Sequence, residues 1–149
     1  MKNLLIFCFL FIYSKTYSQD INGLWVGEIN NSKSQNVYLK YPIAFEIKYD
    51  PVLNIISGIN RTISFDSMYA NFIIRGYLQT DKRTYYLEET ELLESSNASK
   101  DSVIRNYILL EFSGKNKLKG EWFCFNPQVN ALCRDTVIII LKRKTPGKK

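Results

Sequence analysis

Histidine does not occur anywhere in the 149 residues. Its absence removes the commonest general base, the Ser–His and Cys–His nucleophile pairs and the usual zinc ligand. No glycine-rich phosphate loop is present either. Long hydrophobic runs are missing too. The longest apolar stretch, Leu4 to Tyr13, spans ten residues, whereas crossing a bilayer takes ~20. No segment repeats apolar residues convincingly at helical spacing. Together these absences leave little room for a histidine-driven enzyme, a membrane helix or a helical bundle, and the chain implies no cofactor and no metal.

The apolar stretch has another use. It follows Met1-Lys2-Asn3 and ends at Ser14-Lys15-Thr16-Tyr17-Ser18, an order of basic start, short apolar run and small-residue exit. That order predicts a secretory signal peptide over 1–18, cut after Ser18 or Gln19, and a secreted or periplasmic protein. Cys8 lies inside the run, so no lipid-bearing cysteine is expected at the new terminus. The remainder divides into one domain over 19–144 and a frayed basic tail over 145–149. Without Lys2 and Lys15 the balance is 18 basic to 14 acidic residues, dispersed enough to solubilise rather than to bind nucleic acid. Of the three cysteines, Cys124 and Cys133 survive processing. In an oxidising compartment they are expected to form a disulfide, stabilising by roughly 2–3 kcal/mol.

What remains alternates. Tyr41, Ile43, Phe45, Ile47 and Tyr49 share one face of a strand, and Glu46, Lys48 and Asp50 the other. Further strands are predicted over 23–30, 53–63, 70–80, 84–94, 104–112, 118–125 and 136–144, separated by polar turn residues. Gly27, Gly58, Gly76 and Gly120 fall inside strands, where glycine serves sharp bends and close approaches. About eight sequential strands with short turns predict an all-β, antiparallel up-and-down barrel, which closes on itself and so has no edge. A two-sheet β-sandwich accepts the same pattern.

Gly23-Leu24-Trp25, opening the first strand, resembles the Gly-x-Trp signature of the calycins, the group of lipocalins and avidins. The resemblance implies a small barrel whose closed end is plugged by Trp25. It also implies a basic residue of the last strand, Arg143 or Lys142, lying over the indole ring. Ile55-Ile56-Ser57-Gly58 and Ile73-Ile74-Arg75-Gly76 look more like avidin than lipocalin. With only Trp25 and Trp122 in the processed chain, biotin binding is not expected.

Two groups of polar residues are candidates for chemistry. Glu88, Glu89, Glu91 and Glu94 crowd one strand, with Glu89 and Glu91 in phase with Tyr85, Leu87 and Leu93. The preferred reading is an outer acidic face paired with Lys82, Arg83 or Lys100. An internal pair of carboxylates would instead split their pKa values, as in glycosidases. Ser57 and Arg61 interrupt the apolar series Leu53, Ile55, Ile59 and Ile63, and Arg75 lies in phase with Tyr77. Turned inward, Ser57, Arg61, Arg75 and Tyr77 would anchor the polar end of a ligand; turned outward, they are ordinary cross-strand surface. The leading expectation is a non-enzymatic exported barrel for a small apolar or amphipathic ligand. The alternative is a structural or interaction protein of the cell envelope with a packed interior.

Overall fold

The computed structural model describes residues 19–30, 40–63, 69–96, 105–126, 131–132 and 137–145. Among these described residues nine strands are found: β1 (Gly23–Asn30), β2 (Lys40–Asp50), β3 (Ile55–Ile63), β4 (Tyr69–Leu78), β5 (Thr84–Ser95), β6 (Arg105–Gly114), β7 (Lys117–Asn126), β8 (Ala131–Leu132) and β9 (Val137–Arg143). Each pairs antiparallel with its neighbour, in the order β6-β5-β4-β3-β2-β1-β9-β7-β8. The β6–β7 pairing closes the ring. Eight strands form the wall, and β8 adds two residues to the edge of β7 that β9 also uses. The protein is a closed, eight-stranded, up-and-down barrel, not a sandwich. The signal peptide over 1–18, the side chain of Cys124 and all of Cys133, and therefore the expected disulfide, lie outside the described residues.

Closure demands that the wall coil tightly, and the in-strand glycines make this possible. A methyl group added at Gly58 would strike the backbone carbonyl of Glu46 on β2, and one at Gly27 the carbonyl of Ile140 on β9. Neither obstacle is a flexible side chain, so the backbone itself would have to move. Gly58→Ala should therefore cost about 1–3 kcal/mol, the usual penalty of overpacking, read as a lower urea midpoint with an unchanged slope.

The turns at one end are built from local polar caps. Asp50 Oδ1 accepts the backbone N–H groups of Val52 (2.8 Å) and Leu53 (3.1 Å). Asn54, at a positive φ of 53°, lays its side-chain amide against β4, accepting from Leu78 N and donating to Leu78 O, both at 3.0 Å. Asp81 holds the next turn by accepting from the N–H groups of Arg83 and Thr84, both at 2.9 Å. These hydrogen bonds, led by that of the Thr84 hydroxyl, keep its carboxyl below the ordinary range.

The same end is sealed by the segment before β1. Ile21 is fully buried, and its carbonyl accepts from the indole Nε1–H of Trp25 at 2.7 Å. Trp25 meets Phe112 edge to face at 5.9 Å, and Phe112 meets Tyr85 at 6.0 Å. The Tyr85 hydroxyl donates to Gln19 O. Arg143 lies over the Trp25 ring, its guanidinium carbon 4.7 Å from the centroid, and donates to the Asp20 carbonyl. Of the two basic residues the calycin resemblance singles out, it is Arg143 that covers the ring. Lys142 alternates to the outer face and is exposed.

Around and above this plug the interior is apolar and mostly aliphatic. Phe45, Ile47, Ile56, Ile74, Leu87, Ile108, Leu110, Leu118, Ile139 and Leu141 are all buried.

Candidate functional site: a buried polar cluster in the barrel interior

In the half of the barrel away from Trp25 the aliphatic filling gives way to polar groups. Asn60 on β3 and Glu89 on β5 are completely buried. The Asn60 amide donates to Glu89 Oε1, and the amide of Asn106, on β6, donates to Glu89 Oε2. Each carboxylate oxygen is thus held by one asparagine from a different strand. Among the described residues no arginine or lysine contributes to the site. Burial dominates its electrostatics and pushes the Glu89 carboxyl up to about 7, with the two amide hydrogen bonds pulling the other way.

Two further inward polar atoms, one of them in this cluster, are unsatisfied. Asn60 Oδ1 and Trp122 Nε1 are buried without a hydrogen-bond partner. Trp122 packs against the core from β7. It stands opposite Ile108 in register and diagonal to Asn106, which pairs with Cys124. A buried amide oxygen or indole N–H left unpaired costs about 1–3 kcal/mol, so both atoms call for a partner. The third such atom, Arg143 Nε, belongs to the plug at the other end.

Of the four glutamates read as an outer acidic face, Glu88, Glu91 and Glu94 lie outside, and the structure corrects that reading at Glu89 alone. Glu89 points inward with Tyr85 and Leu87 because the strand keeps its period to that point. The β4–β5 register then slips twice, between Ile73 and Ile74 and between Asn71 and Phe72. Each slip is a bulge that reverses the alternation. Glu91 and Leu93 therefore turn out to solvent, and Leu92 is buried instead. Glu94 lies outside too, accepting from Tyr69 and Asn71. No pair of internal carboxylates exists among the described residues.

Ser57, Arg61, Arg75 and Tyr77 all lie on the outer wall. All four are exposed, Tyr77 by 46%. The inner face of β3 is instead Ile56, Gly58, Asn60 and Thr62, so the isoleucines at 55, 59 and 63 are the outward series. The structure brings Ser57 opposite Arg75 and Arg61 opposite Asn71, but on the surface. Asn60-Arg61-Thr62 also fits a glycosylation sequon, and the burial of Asn60 leaves it no room for a glycan.

Tyr77 belongs to a different arrangement. Its ring is 5.1 Å from that of Tyr86, which is 6.0 Å from Tyr107, which stacks at 5.8 Å on Phe123. This aromatic row crosses β4 to β7 on the outside. Burial first, then Glu88 and the adjoining phenols, push Tyr86 up to about 12. Further round the wall, a groove of about 460 Å³ is lined by Leu109, Glu111, Lys119, Glu121 and Ile138. Among the described residues no group of three or more His, Cys, Asp or Glu side chains could hold a metal ion.

No protein-family model and no curated protein sequence matches the chain. Solved structures do. EF1p2_mFAP2b, solved bound to DFHBI, superposes with a TM-score of 0.62 at 9% identity, over 85% of this chain and 98% of that one. A second, a fluorescence-activating beta barrel designed de novo, gives a TM-score of 0.57 at 12% identity, over 85% and 96%. At such identities the likeness concerns the fold alone, a small closed β-barrel, and is consistent with the calycin-like architecture expected from the sequence.

Proposed function

We propose that this is a non-enzymatic, exported barrel that binds a small amphipathic molecule in the interior half opposite Trp25. The observation carrying this reading is a pair of buried, unpartnered polar atoms on the inner wall: Asn60 Oδ1, beside the buried Glu89 carboxylate, and Trp122 Nε1 on β7. A purely structural interior has no reason to keep them, since apolar groups of the same shape would be as stable or more so. A ligand offering a donor to one and an acceptor to the other accounts for both. The likeness in fold to a barrel solved with DFHBI bound gives the reading a precedent in architecture.

Native mass spectrometry of protein secreted by its own cell tests it. One co-purifying small molecule is the expected result. Trp122→Phe, which deletes the indole donor but keeps most of the packing, should weaken its binding by about tenfold or more. Protein that carries no ligand, and whose Trp122 fluorescence responds to no added amphiphile, would favour the alternative. In that reading the protein is an envelope component with a packed interior that works through its outer aromatic row. Tyr77, Tyr86, Tyr107 and Phe123 would then supply rigid, low-entropy contact area.

A further inference from the structure

We propose that the polar end of the ligand is a cationic nitrogen, a primary or secondary ammonium, seated against Glu89 and the free oxygen of Asn60. The inference deepens the ligand-binding reading and rests on it. Burying a carboxylate without a counter-ion costs several kcal/mol, and glutamine or leucine at position 89 would avoid that cost. The chain instead spends two asparagines from separate strands on holding the carboxylate, one N–H donor to each oxygen. Those donors favour the anion. What is missing is a positive charge, and the surrounding elements do not supply it. Ile74 of β4 stands opposite Glu89 in register, β3 contributes Asn60 and Gly58, β6 contributes Asn106 and Ile108, and β7 contributes Trp122. Arg143 is held at the other end over Trp25. Among the described residues no lysine or arginine faces the carboxylate.

The hydrogen-bond inventory points the same way. Turning the Asn60 amide nitrogen to Glu89 leaves its Oδ1 as an open acceptor. The site thus offers acceptors close together, and the open donor Trp122 Nε1 lies on the neighbouring strand β7, two residues along from the partner of Asn106. An ammonium carries two or three N–H donors and no acceptor, which matches the Glu89–Asn60 side. The indole N–H then calls for a neutral acceptor further along the same molecule. A carboxylate-bearing ligand would meet Glu89 as a like charge.

Cation binding and proton binding compete at Glu89. Its carboxyl sits at about 7, so affinity for an ammonium should rise by about tenfold per pH unit below that value and level off above it. Calorimetry of the full processed protein with octylamine, 1-octanol and octanoate tests the idea, since the three probes differ in the head group. At about pH 8 octylamine should bind at least about tenfold tighter than 1-octanol. The advantage should shrink to about twofold or less at about pH 5, where the carboxyl is protonated, and in Glu89→Gln, with folding verified by near-ultraviolet circular dichroism. Equal or tighter binding of 1-octanol or octanoate at the higher pH, or an undiminished amine preference in Glu89→Gln, overturns the ammonium assignment and leaves the ligand-binding reading standing. Folded protein that takes up none of the three overturns both.

Discussion

Cutting Trp25 back to alanine should lower stability by about 3–5 kcal/mol, the range for a buried tryptophan. Since domains of this size hold together by only ~5–15 kcal/mol, most of the folded population's margin would go. The ring is completely buried and touches three separate parts of the chain: the carbonyl of Ile21, the ring of Phe112 and the guanidinium of Arg143. Its loss would leave the Ile21 carbonyl unpaired and Arg143 without its platform. Trp25→Phe keeps most of the volume but not the indole N–H, so it should fall between wild type and alanine. Arg143→Ala should cost far less, because the cation–π contact is worth ~0.5–2 kcal/mol and that side chain is partly in water. Urea unfolding of the three variants gives the ranking. Unchanged behaviour of Trp25→Ala would show that the end of the barrel is closed by something other than this ring.

The second large effect is a pH dependence confined to Glu89. Its carboxyl titrates at about 7 in the folded protein against an ordinary value of 4.5. A raised pKa means that the folded state holds its proton longer than the unfolded chain does. Below about 4.5 both states are protonated and the barrel is at its most stable with respect to this group. Between about 4.5 and 7 the unfolded chain ionises first, and stability drains away at ~1.4 kcal/mol per pH unit. Above about 7 the loss is complete, at roughly 3 kcal/mol. Glu89→Gln removes the ionisation, and the amide of Asn60 has a free Oδ1 with which to accept from the new side chain after a flip. Wild type minus variant, followed by urea unfolding across that range, should therefore slope downward and end with the variant ahead. A flat difference would mean that water reaches the carboxyl and that it titrates as a surface group.

Much of the architecture was legible because it depends on local patterns. The alternation in Tyr41 to Tyr49 reads directly as β2, and the polar breaks mark the turns. The spacing of glycines within strands signals a tightly coiled wall. The Gly-x-Trp opening places the plug. The candidate site was not legible, for two physical reasons. In β3 the binary pattern is inverted: the tightly coiled inner wall takes Gly58 and small or polar residues, while Ile55, Ile59 and Ile63 go outside. The apolar series alone therefore leaves the facing of Ser57 and Arg61 open, and the structure turns both outward as ordinary cross-strand surface. In β5 the two bulges depend on register with β4, which no property of the β5 sequence announces. Glu89 could have been placed only by trusting the period through Tyr85 and Leu87 and stopping there. Asn106 and Trp122 carried no signal separable from ordinary strand residues.

The way β1 and β9 meet also decides how the molecule bears tension. The two strands are antiparallel, with Trp25 opposite Arg143 at one end and Asn30 opposite Ile138 at the other. The flanking segments leave together at the plugged end, where Lys144 N donates to Leu24 O at 2.8 Å. A force drawing those flanks apart does not slide one strand along the other against all their bonds at once. It opens the seam like a zipper, loading the Tyr85–Gln19 and Arg143–Asp20 hydrogen bonds of the flank, then the Lys144–Leu24 bond and the Arg143–Trp25 stack, before the rest of the β1–β9 ladder. The element that most firmly seals the barrel at rest is thus also the first to carry the load, and the polar cluster around Glu89 lies on the half of the barrel reached last.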